Sequence, residues 1–223
     1  MQLTKTDLFT FIHKALRSLI YGLGSKLQTA DFSSELESKN IVSILRHDLG
    51  LLHEHADHED NIIFPEVKNE EPEMIKVLEN EHIEIGEKLN VLNNILDLLQ
   101  NETESKIRLK LGNELNFLFN DFAASYLNHM NHEESTVLEA SQKYLSDEEL
   151  IAIRTRIQTK IPPERYRIWL DWMLRSANIT ELIGLLNAMK INAPKPVFDN
   201  IISTAEKIIE PSRWELIKEK IGS

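Results

Sequence analysis

Two stretches of this chain share one polar pattern: HADHEDNIIFP at residues 55–65 and HMNHEESTVLE at residues 129–139. In both, a histidine is followed by a second histidine, then by a glutamate and a further acid. An amide or hydroxyl residue and a short apolar run come next. The similarity is a local internal repeat.

The spacing within each repeat fits a helix. Residues four apart lie on one helical face, about one turn apart. His55 and Glu59 are therefore predicted to point the same way, as are His129 and Glu133. An imidazole and a carboxylate on one inward face suit a borderline divalent cation, and two such faces would hold two cations.

Composition predicts a helical protein with a sizeable core. The chain has 223 residues, 42% of them hydrophobic, and its seven glycines and seven prolines leave long stretches free of both. This length suits one core, or one domain with an appendage. Low glycine and proline content over long stretches favours helices.

Charge and cysteine content exclude several classes of partner and site. The formal charge of −11, without clusters of basic residues, argues against nucleic acid or an anionic membrane as a partner. With no cysteine, disulfides and thiolate sites are excluded. The first residues lack an apolar signal region and no run of about 18 apolar residues occurs, so a cytoplasmic protein is expected.

Helical periodicity predicts four long helices joined by short connections. Such helices form an up-down-up-down, antiparallel four-helix bundle, here within residues 1–145. The predicted helices cover about 6–27, 34–64, 72–100 and 103–144, with Pro65 ending the second.

Histidines fall on the inward stripes of all four predicted helices. The stripe of the second helix is apolar at first and becomes polar at His55 and Glu59 without changing phase. Burying these two polar side chains costs free energy unless hydrogen-bonding or charged partners compensate them. At ~1.5 Å rise per residue, the histidines lie roughly 10–22 Å from the same end of the bundle. The residues predicted to share this layer are His13, His55, Glu59, His82, His129 and Glu133.

Residues 146–223 differ in character from the bundle. They contain all three tryptophans, no histidine, and shorter predicted helices separated by prolines. Ser146 and Glu149 form a predicted capping box at the start of this region. We expect a helical C-terminal extension or small subdomain, and one interpretation is that it only packs on the bundle. The other is that it contacts a protein partner or a second copy in a homodimer.

The combined pattern in residues 6–144 resembles a hemerythrin-type, HHE cation-binding domain. The matching residues are His13, His55 and Glu59 followed by Ile-Ile-Phe-Pro, then His82, His129 and Glu133. The resemblance implies a non-haem di-iron centre with an oxo or hydroxo bridge. It makes the four histidines terminal ligands and the two glutamates bridging ligands. Manganese or zinc would also suit imidazole and carboxylate donors.

The chain departs from the invertebrate oxygen carriers on the third helix. Those carriers have a second histidine four residues from the first, whereas Leu78 and Gly86 flank His82 here. Glu79 is the best substitute ligand by helical phase, and Glu81 is predicted to point away from the stripe. Asp60 is assigned to a solvated helix face.

Several functions fit the pattern. We expect a binding or sensing protein for dioxygen, a similar small diatomic ligand, or iron or redox state. A di-iron enzyme acting on peroxide or nitric oxide is the first alternative, although no catalytic residue can be named. A scaffold, or a site for another cation, is the second. Ferritin-like and hydrolytic zinc sites fit poorly, because a second Glu-x-x-His and an HExxH helix are both absent.

Overall fold

The computed structural model describes residues 5–222, and within that range the regular structure is helical, without strands. The helices are α1 (Thr10–Thr29), α2 (Glu35–His58), α3 (Phe64–Val67), α4 (Pro72–Asn101), α5 (Ser105–Ser135), α6 (Val137–Tyr144), α7 (Asp147–Lys160), α8 (Pro163–Ser176), α9 (Ile179–Asn192), α10 (Lys195–Ile208) and α11 (Pro211–Ile221), with a π-helical turn at Glu59–Ile63 between α2 and α3. This confirms the predicted all-α fold.

The described residues form two compact units. The first unit comprises residues 5–10 and 19–159, and the second comprises residues 11–18 and 160–222. The predicted domain boundary between residues 145 and 146 stays a prediction.

The long helices α1, α2, α4 and α5 form the predicted up-down-up-down bundle. Their connections are short, so successive helices run in opposite directions. Helix α1 begins later than predicted, where Asp7 Oδ1 accepts hydrogen bonds from the backbone N–H groups of Phe9 and Thr10 at 2.8 and 2.9 Å. The start and end of α4 agree with the prediction from the sequence.

The first repeat ends in a π-helical turn. The prediction that Pro65 ends the second helix is wrong, because the chain stays helical past this residue. The backbone N–H of Phe64 donates to the carbonyl of Glu59, five residues back, and the chain then continues as α3. Proline is tolerated there because the first turn of a helix needs no N–H from it.

The second repeat also ends in an irregular turn. The predicted fourth helix divides at Thr136, whose backbone is non-helical at φ −130° and ψ −66°, and whose N–H donates to the carbonyl of Glu133 at 3.2 Å. Each repeat thus has a helix irregularity at, or just after, its glutamate.

The opposite end of the bundle is fastened by a buried arginine on α5. Arg108 is 4% exposed and donates to the carbonyls of Phe32 at 3.1 Å, Ser33 at 2.6 Å and Thr103 at 2.6 Å. These carbonyls lie in the connections before α2 and before α5, so one guanidinium holds both loops. Arginine suits this role because its fork of donors meets several acceptors at once.

The second unit has an apolar core of its own. Helix α9 packs on α11, and α8 packs on α10. A capping box between Asn178 and Glu181 starts α9, and Arg213 donates to the carbonyl of Ala177 at 2.6 Å. The buried core residues are Leu170, Leu174, Ala177, Leu182, Leu186, Ala205, Ile209, Trp214, Ile217 and Ile221.

Gly112 on α5 gives a test of packing in the bundle. A β-carbon at this position would lie 2.2 Å from Cδ2 of the buried Phe32 ring. We expect Gly112→Ala to lower the free energy of unfolding by about 1–3 kcal/mol in urea titrations, because overpacking outweighs alanine's better helix propensity.

Gly22→Ala is the matched control, because a β-carbon there would meet no atom within 4 Å. This helical substitution should raise the free energy of unfolding by about 0.5–1 kcal/mol. A Gly112→Ala protein as stable as the parent chain would contradict the tight approach of Phe32.

Candidate metal centre

The six residues singled out in the sequence come from five helical segments. His13 lies on α1, His55 on α2, Glu59 at the first position of the π turn, and His82 on α4. His129 and Glu133 lie one turn apart on α5. All are buried except His82, which is intermediate and whose side chain is 7% exposed.

The ligand atoms of these residues form two overlapping groups. One group comprises His13, His55, Glu59 and Glu133, and the other comprises Glu59, His82, His129 and Glu133. Within each group the atoms lie within 4.8 Å of one another. Each group therefore has two imidazoles and two carboxylates, and both carboxylates are shared between the groups.

The carboxylate of Glu59 lies between two imidazoles. Its Oε1 is 2.9 Å from Nε2 of His55, and its Oε2 is 3.6 Å from Nε2 of His82. On α5, Nε2 of His129 is 3.3 Å from Oε1 of Glu133. One oxygen of Glu59 thus faces each side of the cluster.

His82 and His129 meet at their Nε2 atoms, which are 2.7 Å apart. Their Nδ1 atoms contact carboxylates outside the cluster: His82 Nδ1 is 2.8 Å from Asp60 Oδ1, and His129 Nδ1 is 2.7 Å from Glu81 Oε2. The ring of Phe64 stacks on His82 with a centroid separation of 5.4 Å. Both imidazoles are therefore held on the side away from the cluster.

The electrostatics of the cluster favour positive charge between the carboxylates. Burial alone would lower the pKa of His82, but its hydrogen bonds to Asp60 and Glu59 outweigh burial and raise the pKa to about 10. Burial also opposes the charged form of His129, yet Glu133 raises its pKa overall. In the absence of a cation, protons on imidazoles would compensate the buried carboxylates.

Tyr126 is the aromatic residue next to His129 on the inward face of α5. Its phenol donates to the carbonyl of Leu52 at 3.0 Å. Burial, followed by the charges of Glu59 and Glu133, raises the pKa of Tyr126 well above its ordinary value. The phenol therefore stays protonated and acts as a structural donor between α5 and α2.

The sequence prediction for the acids on α4 was wrong. Glu79 forms an ion pair with Lys68 instead of joining the cluster. Glu81, predicted to point away, contacts both His129 and His132 on α5, the latter at 2.9 Å between Oε1 and Nδ1. The position of a glutamate around its own helix does not predict whether its long side chain contacts residues on an adjacent helix.

Asp60 was also misassigned to a solvated helix face. Its side chain is 39% exposed, but Oδ1 bonds to His82. The π turn alters the facing of residues that follow Glu59, and this turn was not visible in the hydrophobic pattern. The only local feature of the sequence that could have indicated a role for Asp60 at the cluster is its position directly after Glu59.

None of the helices in residues 5–222 combines the length and apolar character needed to cross a membrane.

A comparison with protein families gives one match. The model of the Hemerythrin HHE cation binding domain matches residues 4–141, more than half of the 223-residue chain, and this range contains all six clustered residues. A search of curated proteins and a search of solved structures each gave no match. The chain therefore belongs to the hemerythrin HHE cation-binding family.

Proposed function

We propose that the cluster holds two metal ions that share Glu59 and Glu133 as bridging ligands. One ion would also be bound by His13 and His55, and the other by His82 and His129. The observation that carries this proposal is the shared membership of both glutamates in the two four-residue groups. Two carboxylates that belong to both groups suit a pair of adjacent cations better than a single one.

The residues present fit a metal pair. Imidazole and carboxylate donors without thiolate suit iron, manganese or zinc, and membership of the family favours iron. Two nearly fully buried carboxylates in one layer repel each other, and burying charge is expensive without compensation. Cations between them would provide that compensation.

We propose that the protein binds or senses dioxygen, or a similar small diatomic ligand, at this centre. Hemerythrin-like domains bind small ligands, and a pair of redox-active iron ions would supply reversible, oxidation-linked ligand binding. The residues of the chain would hold the ions, orient the imidazoles and exclude bulk water.

The protein residues would leave room for such a ligand. Each ion would have four protein ligands, two imidazoles and two shared carboxylates. The second histidine of the oxygen carriers is absent from α4, where Leu78 lies fully buried in an apolar cluster. Exchangeable small ligands would occupy the remaining coordination positions of the two ions.

A cytoplasmic location, and a partner or homodimer contact through residues 146–223, stay predictions.

The proposal predicts the metal content of the purified protein. Protein prepared without oxygen and reconstituted with Fe²⁺ should bind about two iron ions per chain. The double variant His55→Ala/His129→Ala should lose this stoichiometric iron, because it removes one imidazole from each group. His47→Ala/His53→Ala is the control, since both residues are exposed. Stoichiometric iron in the first double variant would contradict the site.

Adding air to the reduced, iron-loaded protein tests the function. We expect a new oxygen-dependent charge-transfer band in the optical spectrum, and its loss on deoxygenation would support binding or sensing. In the same protein supplied with peroxide or nitric oxide, consumption of that ligand over repeated cycles would favour an enzyme that acts on it. Absence of any spectral change with two irons bound would contradict oxygen binding.

Metal removal should also lower thermal stability. A metal that binds only the folded chain stabilises it by about 2.7 kcal/mol when free metal is 100 times Kd. Chelation should therefore lower the melting temperature of the loaded protein in calorimetry, while the same chelator leaves His55→Ala/His129→Ala unchanged. An identical melting curve for loaded and fully demetallated protein would show that the metal has no structural role.

A further inference from the structure

Two carboxylates outside the cluster contact the outer nitrogens of two of its imidazoles. Asp60 Oδ1 lies 2.8 Å from Nδ1 of His82, and Glu81 Oε2 lies 2.7 Å from Nδ1 of His129. Asp60 belongs to the π turn and Glu81 to α4. Neither residue is in the groups that surround the two cation positions.

We infer that Asp60 and Glu81 are positioning residues that fix His82 and His129 as Nδ1–H tautomers and aim their Nε2 atoms at the second cation. This inference rests on the proposed metal centre and names residues that tune it. The cation concerned is the one proposed to lie among Glu59, His82, His129 and Glu133.

A metal ion binds the lone pair of a neutral imidazole ring. Such a ring carries one N–H donor and one nitrogen with a free lone pair. A carboxylate only accepts, so Nδ1 must be the donor in both rings, and the lone pair is then on Nε2. The two Nε2 atoms face each other at 2.7 Å. Two lone pairs at that distance would repel, and either a proton between the nitrogens or a cation that both nitrogens bind removes the repulsion.

The carboxylate of Glu81 is itself held in place by a second histidine. Glu81 uses its second oxygen, Oε1, to contact Nδ1 of His132 at 2.9 Å. This contact explains the second histidine of the second repeat, which lies beside the cluster without entering it. A histidine that ligates a metal commonly donates its other N–H to a carboxylate, which fixes the ring and raises its basicity.

The π turn supplies the corresponding support for His82. Three residues in or directly after this turn surround the ring of His82. Glu59 lies near its Nε2, Asp60 contacts its Nδ1, and the ring of Phe64 stacks on it. In a regular α-helix, residues five apart are about 140° apart around the axis, given 3.6 residues per turn. The bond from Phe64 N–H to the Glu59 carbonyl brings these two residues toward one side. π-Turns of this kind are frequent at functional sites.

Substitution of either carboxylate should leave the fold intact, because both side chains are partly exposed, 32% for Glu81 and 39% for Asp60. Glu81→Leu and Asp60→Leu remove the acceptor. Glu81→Gln retains an acceptor oxygen and removes the charge. The matched controls are Glu84→Leu, on α4 with Glu81, and Asp57→Leu, near the end of α2 just before the π turn; both positions are exposed.

The test measures zinc affinity of the full chain by competition with a chromophoric chelator. We expect Glu81→Leu and Asp60→Leu to weaken binding by about 10–100-fold, as loss of such outer partners does elsewhere. Glu81→Gln should fall between Glu81→Leu and the parent chain, and both control variants should match the parent chain.

Nitrogen-15 spectra of the histidines in zinc-loaded protein give a readout that a purely structural role would not change. In the parent chain, His82 and His129 should be protonated at Nδ1 and coordinated through Nε2. In Glu81→Leu, the Nδ1–H of His129 should exchange faster with water while that of His82 is retained. Asp60→Leu should show the reverse.

Coordination of His82 or His129 through Nδ1 would overturn the inference, as would parent-like zinc affinity in both leucine variants. A parent chain that binds no zinc, iron or manganese would instead overturn the proposed metal centre, and the inference with it. Parent-like affinity of the variants with stoichiometric metal in the parent chain would leave the centre standing and remove only the positioning role.

Discussion

The burial of two carboxylates in the same layer of an apolar bundle is the constraint on which this structure depends. Glu59 is 1% exposed and Glu133 is fully buried. An ion taken from water into such surroundings costs several kcal/mol even after relaxation, unless opposite charge compensates it. Four imidazoles surround these carboxylates. The layer therefore favours bound protons or cations over further apolar packing.

The helices supply this layer through local departures from regular geometry. The first repeat passes into a π turn at Glu59, and the second is followed by a break at Thr136. Around the layer, Asp60 and Glu81 hold the outer nitrogens of two imidazoles. At the opposite end of the bundle, Arg108 donates hydrogen bonds to the connections before α2 and α5. Gly112 leaves space there for the ring of Phe32.

Much of this arrangement follows from the sequence, because helical period and burial are local properties of a chain. The period placed His13, His55, His82 and His129 on inward stripes, and short connections forced those stripes to meet. Predictions from the helical period were wrong where the backbone leaves regular α-helical geometry and where a side chain contacts another helix. Pro65 did not end its helix because an i to i−5 bond carries the chain past it. Glu81 was assigned to the wrong side because its contacts lie on another helix, and long side chains reach across in ways that phase does not encode.

Anomalous diffraction at the iron edge, from crystals of the iron-loaded protein, tests the shared-carboxylate centre. We expect two peaks that both contact Glu59 and Glu133, one next to His13 and His55 and the other next to His82 and His129. A single peak, or peaks that do not contact both glutamates, would contradict the shared-carboxylate centre on which the proposed function rests.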